Sequence, residues 1–397
     1  MKNAIKYFKK DLSSMINLCQ FFNKRNINQD YLNYKAEMKK TKTAFVTFFP
    51  IKPDTMGSSA VVNSRFICWP NYKKIFHLSH LSKINNNKIE TIYIKKETPI
   101  NKILKLPEVI FKIQRYLKNT KKKTIVIEGA SWIFYSFIVL SYFKIFNSKV
   151  KVIYISHSVE AEIRKKYSNF IIYFLTKYLE GLVFKYSDIA TSVSLREKRM
   201  IKSLYNINTI LLPNGISLKK FKLKNKLKMN YIIYTGSYSY KPNKDAINYL
   251  NNIIMPELIK KIPNLKLVLT GGGFNKKFPW IINKGVVSKD LLNNLIFFSK
   301  CLCVPLKFGS GTRIKIIEAL CLGAVVISTK KGIEGIKLKS TNPPFIEENK
   351  SKFIKKILQV IKENKKIKRK SINLKKYYVK KYSMKNILNE FIKTNEI

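Results

Sequence analysis

The residues best suited to chemistry lie at 309–323, GSGTRIKIIEALCLG. Gly309, Ser310 and Gly311 follow a short apolar run that reads as a buried strand, and an apolar helix pattern follows them. A helix that opens from a glycine turn leaves its first N–H groups unpaired and carries a partial positive charge there, which suits a diphosphate. Gly311, Lys315, Glu318 and Leu322 recur at spacings of four, three and four, so Lys315 and Glu318 share one stripe. Ile314, Ile317 and Cys321 take another face and belong to the core. A carboxylate one to two turns inside a phosphate-binding helix stands where a nucleotide's ribose would lie and can accept from two vicinal hydroxyls. A Lys–Glu pair at this spacing is by itself an ordinary surface pair; the glycine turn ahead of it favours the ligand reading.

Other candidates are more isolated. In YISHSVEAEIRKK (154–166) His157 stands at the end of a strand, with Glu160 in the next helix. Imidazole titrates near neutrality and suits proton transfer, although a lone histidine is more often structural. His77 and His80 alternate on a strand and read as structural. In PIKPDTMGSSAVVNSR (50–65) Gly57 follows the first strand and opens a helix, as either a ligand loop or an ordinary turn. Gly271–Gly273 does not complete G-x-G-x-x-G, and no acidic residue stands ~20 residues on to hold an adenosine ribose, which argues against NAD. Three histidines and five unpatterned cysteines (Cys19, Cys68, Cys301, Cys303, Cys321) give no His/Cys metal site. The odd count of thiols fits a reducing compartment.

These residues need a scaffold, and the pattern supplies one. From Thr43 strand-like runs (44–49, 75–78, 91–94, 124–127, 150–155, 188–193, 209–212) alternate with helical stretches such as 104–118 and 133–146. Short β-branched strands between helices argue for a parallel sheet covered on both faces. Pro213-Asn214-Gly215 signals a chain reversal, and the lysine-rich stretch after it reads as a linker. The alternation then restarts: strand 231–235, helix 245–260, strand 265–270, helix 288–299, strand 302–306, a helix from about 312 to 322 and strand 325–329, with helices 345–364 and 373–393 closing the chain. The reading is an α/β chain of two Rossmann-like domains, 43–215 and 229–372. Residues 216–228 link them, and a crossover helix spans 373–397. Ligands of such sheets bind outside the carboxyl ends of the strands, so both domains would face a shared cleft. Residues 1–42 read as a helical extension, with Ile5, Phe8, Leu12, Met15, Cys19 and Phe22 on one face and lysines nearby. It is either a basic membrane anchor or a helix packed on the first domain.

Composition sets the partners. The net charge is +54, from 77 basic and 23 acidic residues, but 69 of the basic residues are lysine and only 8 arginine. Lysine with abundant Asn and Ile points to coding bias, and specific nucleic-acid readers lean on arginine. The charge should still draw the protein to phospholipid headgroups and sugar-nucleotide diphosphates. Asp11 interrupts the first apolar stretch, so no signal peptide is expected. The uncharged run from Ala130 to Phe143 is shorter than the ~20 residues that cross a bilayer. The expectation is a cytoplasmic protein, peripheral to the inner face of the membrane at most.

Several motifs in order carry a family resemblance. Residues 309–323 resemble the donor-binding signature of retaining glycosyltransferases of family 4 (group 1 type, GT-B fold). YTGSYSYKPNKDAINYL (234–250) is similar to the first strand and loop of their nucleotide domain, NLKLVLTGGG (264–273) to the second, and AVVISTKKGIEGI (324–336) to the strand after the donor helix. PNGI (213–216) resembles the start of their interdomain linker. The match is good over 210–360 and looser over 43–205. It implies that Glu318 binds the donor ribose and that Gly236 sits against the diphosphate, with Lys241 or Lys315 supplying charge. It places His157 beside the donor sugar, donating to it or accepting the acceptor's proton, and Gly57 in the first glycine loop near donor or acceptor. Ser310 replaces the first of the family's two glutamates, so the sugar contact falls to Ser310, Gly311 or backbone groups. Ser237 stands where an arginine often follows the glycine, and Arg313 is the substitute. Lys315, Arg313 and the N–H groups of Gly311, Thr312 and Arg313 would stabilise the departing diphosphate. No D-x-D motif occurs in a suitable loop, so no metal or other cofactor is expected. The implied function is transfer of a sugar from a nucleoside-diphosphate sugar to a glycan or lipid-linked acceptor, with retention, in cell-surface polysaccharide or glycoconjugate synthesis. Two rivals stay open: a GT-B nucleotide-sugar epimerase, and a non-catalytic basic protein that binds membrane or nucleic acid.

Overall fold

The computed structural model describes residues 41–51, 57–70, 72–81, 84, 86–217, 229–309 and 311–395. Nearly all of the expected 1–42 extension, most of the 216–228 linker and Ser310 lie outside the described residues.

The first domain runs β1 (Thr41–Thr47), α1 (Gly57–Cys68), β2 (Tyr72–Ser79), β3 (Ile89–Tyr93), α2 (Pro99–Leu104), α3 (Leu106–Leu117), β4 (Lys122–Gly129), α4 (Ile133–Phe146), β5 (Val150–Ser156), α5 (Glu160–Tyr167), α6 (Phe170–Tyr186), β6 (Ile189–Ser192), α7 (Leu195–Tyr205) and β7 (Ile210–Leu211). Its seven strands are all parallel, in the order β3-β2-β1-β4-β5-β6-β7. Both faces are covered, and side chains alternate between them with the two-residue period of a strand. Ala44, Val46, Ile125, Ile127, Val152 and Tyr154 enter one core cluster. Phe45, Val126, Ile153 and Ile155 enter the other.

The second domain repeats the plan with β8 (Tyr231–Thr235), α8 (Lys241–Tyr249), a π-helical turn (Leu250–Ile254), α9 (Met255–Lys261), β9 (Lys266–Thr270), β10 (Ile281–Asn283), α10 (Lys289–Phe298), β11 (Leu302–Val304), α11 (Ile314–Leu322), β12 (Val326–Ser328), β13 (Phe345–Ile346), α12 (Lys350–Lys362), α13 (Asn364–Tyr382) and α14 (Met384–Thr394). Six parallel strands lie in the order β10-β9-β8-β11-β12-β13. Each sheet reverses its strand order beside its first strand, the switch point where such sheets open a crevice at their carboxyl ends.

Three expected boundaries move. β1 begins at Thr41, because Thr41 and Lys42 already pair in register with Lys122 and Lys123 of β4. The helix expected from Phe345 starts five residues later. Phe345 and Ile346 pair with β12, and Asn349 then caps α12 by accepting from the N–H of Ser351 at 2.8 Å. The single crossover helix is two. α13 ends at Tyr382 with its Tyr378 and Tyr382 in the second domain's core, and extended Ser383 separates it from α14.

That break is where the chain returns to the first domain. Met384, Leu388 and Phe391 of α14 lie in the first domain's core with Val61, Val62 and Phe66 of α1. The outgoing and returning crossings lie side by side: the Ile216 N–H donates to the Tyr382 carbonyl at 2.9 Å and the Met384 N–H to the Ile216 carbonyl at 3.0 Å. A Cβ at Gly215 would stand 2.7 Å from Ile387 Cδ1 and 2.9 Å from the Tyr382 carbonyl oxygen, so only glycine permits this approach. Leu388 is fully buried. Leu388→Ala should cost about 2–5 kcal/mol, read as a loss of unfolding free energy in urea.

Candidate active site

The second domain's half of the site starts at the carboxyl end of β8. Gly236 has φ +134°, and a Cβ there would stand 2.7 Å from both Asn243 Nδ2 and Lys315 Nζ. The chain after β9 presses on the same point, since a Cβ at Gly271 would overlap the Gly236 backbone. Into this space Lys315 Nζ donates to Asn243 Oδ1 at 3.0 Å and sits 4.1 Å from the centroid of the Tyr234 ring. The Tyr234 hydroxyl donates to the same Asn243 oxygen at 2.8 Å. Burial pushes the Lys315 ammonium down to about 7, with Arg313 adding to the shift and Glu318 opposing it. Lys241 stands apart, exposed in the first turn of α8. Lys315 is the cation that reaches Gly236. Asn243 and Tyr234 were not singled out by sequence.

The turn after β11 supplies the next group. Gly309 (φ +119°) and Gly311 (φ +75°) both adopt conformations that favour glycine. A Cβ on Gly309 would meet Arg313 Nη2 at 3.1 Å and Pro242 Cγ at 3.2 Å, whereas one on Gly311 would meet open space. Arg313 is buried, and its Nη1 donates back to the Gly311 carbonyl. Burial lowers the Arg313 pKa from its ordinary value. Arg313 occupies the cap position of α11 but gives it no side-chain cap, so its side chain does not offset the positive end of the helix. Thr312 is part-buried, with its hydroxyl 3.6 Å from where a Cβ on Gly335 would lie.

α11 itself is more enclosed than its expected stripes. Every residue from Ile316 to Leu322 is buried, Glu318 included. A helix apolar on all sides packs on all sides, and α13 lies along this one, with Ser371 donating to the Ala324 carbonyl at 3.3 Å just past its end. The Glu318 carboxylate pairs with Lys289, the first residue of α10, which the sequence gave no reason to select.

In the first domain His157 follows β5 and is part-buried. Its Nε2 lies 2.7 Å from Glu128 Oε2, at the end of the neighbouring strand β4. The same oxygen accepts from Arg65 Nη1 of α1 at 2.5 Å. Burial alone would raise the Glu128 carboxyl, but Arg65 and His157 hold it below its ordinary value. Gly57 opens α1, and a Cβ there would touch nothing within 4 Å. His77 is buried and bonded to Thr91 Oγ1 at 2.9 Å, and burial lowers its pKa to about 4. His80 falls just past β2, exposed and paired with Glu97 at 2.7 Å. Glu160 accepts from the Ile133 N–H at the start of α4 at 2.6 Å, a structural role. Glu128 and Arg65 were also missed. Glu128 interrupts an otherwise apolar strand, and Arg65 is one of few arginines on an apolar helix; both signals were present.

The carboxyl ends of the two sheets meet. Arg196 of α7 pairs with Glu334 beyond β12 at 2.9 Å. Ile314 of α11 packs against the first domain's core as well as its own. No described helix is long and apolar enough to cross a membrane.

Residues 229–363, which hold Gly236, the 309–313 turn, Lys315 and Glu318, match the family described as Glycosyl transferases group 1. The chain is a transferase enzyme whose second domain is similar to the group 1 glycosyltransferases. An uncharacterized glycosyltransferase of Methanocaldococcus jannaschii is 23% identical over 279 residues, 62% of this transferase and 68% of its own length. Among solved structures, sucrose-phosphate synthase from Thermosynechococcus elongatus is similar with a TM-score of 0.66 at 12% identity, over 90% of this chain and 98% of its own. HepE of Anabaena, solved with UDP and glucose, gives 0.65 at 11% identity, over 89% and 99%. At these identities the likeness speaks for the fold, which is GT-B across both domains of the transferase.

The depressed Lys315 gives a test of the geometry. A lysine whose folded pKa lies near 7 costs stability wherever the unfolded chain holds the proton more tightly, a penalty complete below about pH 7 and relieved as pH rises toward about 10. Lys315→Met should therefore raise the melting temperature, by more at about pH 6 than at about pH 9. An equal change at both would mean that the ammonium is not desolvated.

Proposed function

We propose that the transferase moves a hexose, with retention, from a nucleoside-diphosphate sugar to a hydroxyl of a glycan or lipid-linked acceptor. The observation that carries this reading is the convergence of Gly236, Lys315 and the 309–313 turn at one place, with Glu318 two turns or less along the same helix. The diphosphate lies against Gly236 and the start of α11. Lys315, Arg313 and the N–H groups of Gly311, Thr312 and Arg313 take up the charge that develops on it as the sugar leaves. A dianionic ligand beside Lys315 raises its pKa again, so the cost of burying the ammonium is offset on binding. Glu318 exchanges Lys289 for the two ribose hydroxyls. His157 lies over the sugar once the domains close, and the Gly57 loop approaches donor or acceptor. With these cations in place the leaving group is served by the protein, and we assign the reaction no metal or other cofactor. HepE, a relative in fold, was solved with UDP and glucose, which supports a donor of this class.

The acceptor side is the first domain. On α6 Phe170, Ile171, Phe174, Leu175 and Tyr178 are exposed, close to Lys177 and Lys185, a face suited to an anionic membrane that presents a lipid-linked acceptor from the cytoplasmic side.

Thermal shifts against UDP-, GDP-, ADP- and CMP-sugars test the donor. One class should raise the melting temperature. Glu318→Ala should remove most of that shift and lower donor affinity roughly 10- to 100-fold, the worth of about 1.5–3 kcal/mol for hydrogen bonds to a charged group. EDTA should leave turnover unchanged. No shift with any sugar nucleotide, joined to salt-sensitive polyanion binding, would replace the reading with a non-catalytic one.

Sedimentation with anionic phospholipid vesicles tests the acceptor side. The protein should co-sediment, and Phe170→Ser with Ile171→Ser should release it; equal sedimentation of the double variant would clear α6 of the role.

A further inference from the structure

The contact between His157 and a fully buried carboxylate has more chemical content than a core pairing. We propose that Glu128 and Arg65 are positioning residues that fix the tautomer of His157, with the proton on Nε2 and the lone pair on Nδ1 facing the ligand. This rests on the reading of His157 as the histidine beside the sugar.

One carboxylate oxygen takes both contacts. Glu128 Oε2 lies 2.7 Å from His157 Nε2 and 2.5 Å from Arg65 Nη1. Arg65 cannot give up its proton in a protein, so the carboxylate beside it stays ionised and has only lone pairs to offer. A short contact between that oxygen and an imidazole nitrogen therefore needs the hydrogen on the nitrogen. Nε2 is the donor, and in a neutral ring Nδ1 is left as the acceptor. Nδ1 has no hydrogen-bond partner among the described residues, while the ring keeps 10% of its side-chain surface exposed. Everything behind the ring is committed and its acceptor is not. A hydroxyl of the bound sugar or acceptor can donate into that lone pair.

The arrangement is a poor device for stability, which favours a role beyond it. Arg65 and Glu128 have fully buried side chains, yet Arg65 Nε and Nη2 and Glu128 Oε1 have no hydrogen-bond partner among the described residues. Buried ion pairs with unmet hydrogen bonds seldom repay their desolvation, and an apolar pair of the same volume would serve the core as well or better. Arg65 also stands on the helix that meets the second domain. Arg65 projects from α1, which opens at Gly57, and Ile314 at the start of α11 packs on the core cluster that α1 helps to form.

The chain has three histidines, so ¹⁵N-histidine spectra are simple, and His157→Asn assigns the third ring. In the wild type the His157 proton should reside on Nε2. In Arg65→Met with Glu128→Gln no guanidinium holds an oxygen at that place, so the amide can turn its NH2 to Nε2 and the proton should move to Nδ1. Turnover of the sugar nucleotide that stabilises the protein should then fall at least about 100-fold in kcat with KM little changed. Glu128→Gln alone leaves the Arg65 charge unpaired and should lower the melting temperature. Arg65→Met with Glu128→Gln removes both charges and should recover that temperature while kcat stays low. A wild-type ring carrying its proton on Nδ1, or recovery of kcat together with the melting temperature in the double variant, would overturn the proposal. Absence of any sugar-nucleotide turnover would instead fall on the transferase mechanism, because the tautomer is read without a ligand.

Discussion

Both sheets are built from strands that run one way only, and the rest of the molecule follows from that constraint. Parallel strands cannot be joined by tight turns, so each must be followed by a crossover that covers a face, and all the loops that leave the strands gather at one end. In the first domain that end holds the Gly57 helix, Glu128 and His157. In the second it holds Gly236, Gly271, the 309–313 turn and Glu334. Because the two ends meet, through Arg196 and Glu334 and through Ile314, loops from both sheets come together at one joint. The glycines at 236, 271 and 309 matter because several chain segments compete for that small space.

Several charges near the joint between the domains are expensive for the fold. Lys315 is desolvated beside a second cation, and Arg65 and Glu128 are sealed in a core with several of their atoms unmet. Each would be an error in a structure optimised only to fold. Together they mark charge kept buried at a cost to stability, a pattern that active sites often show. The lysine bias of the sequence hides this, since most of the described lysines lie at the surface and only a few are enclosed.

How legible the molecule was in its sequence depended on range. β8 at Tyr231–Thr235 and α4 at Ile133–Phe146 agree with the expected spans to the residue, because each is a strong local period bounded by breakers. The glycine turn at 309–311 and the positions of Lys315 and Glu318 were readable for the same reason. What escaped notice depends on partners far away in the chain. Lys289 finds Glu318 across 29 positions, and Arg65 finds Glu128 across 63. No local pattern encodes such a pairing. Very short elements were lost too: β13 has two residues and takes its identity from pairing with β12. The split of the closing helix at Ser383 belongs to the same class, since a docking site on the other domain decides it.

That docking has a consequence for how the protein is made. A ribosome delivers the first domain's strands early, but Met384, Leu388 and Phe391, which seal one face of its sheet, leave the exit tunnel only after the whole second domain. Until then the nascent sheet exposes Phe45, Phe66 and Ile153 and their neighbours, an apolar surface open to chaperones or to misassembly. The second domain can close on its own residues meanwhile. The first domain is thus completed only after the second has been made, and loss of α14 should harm the domain that was translated earlier.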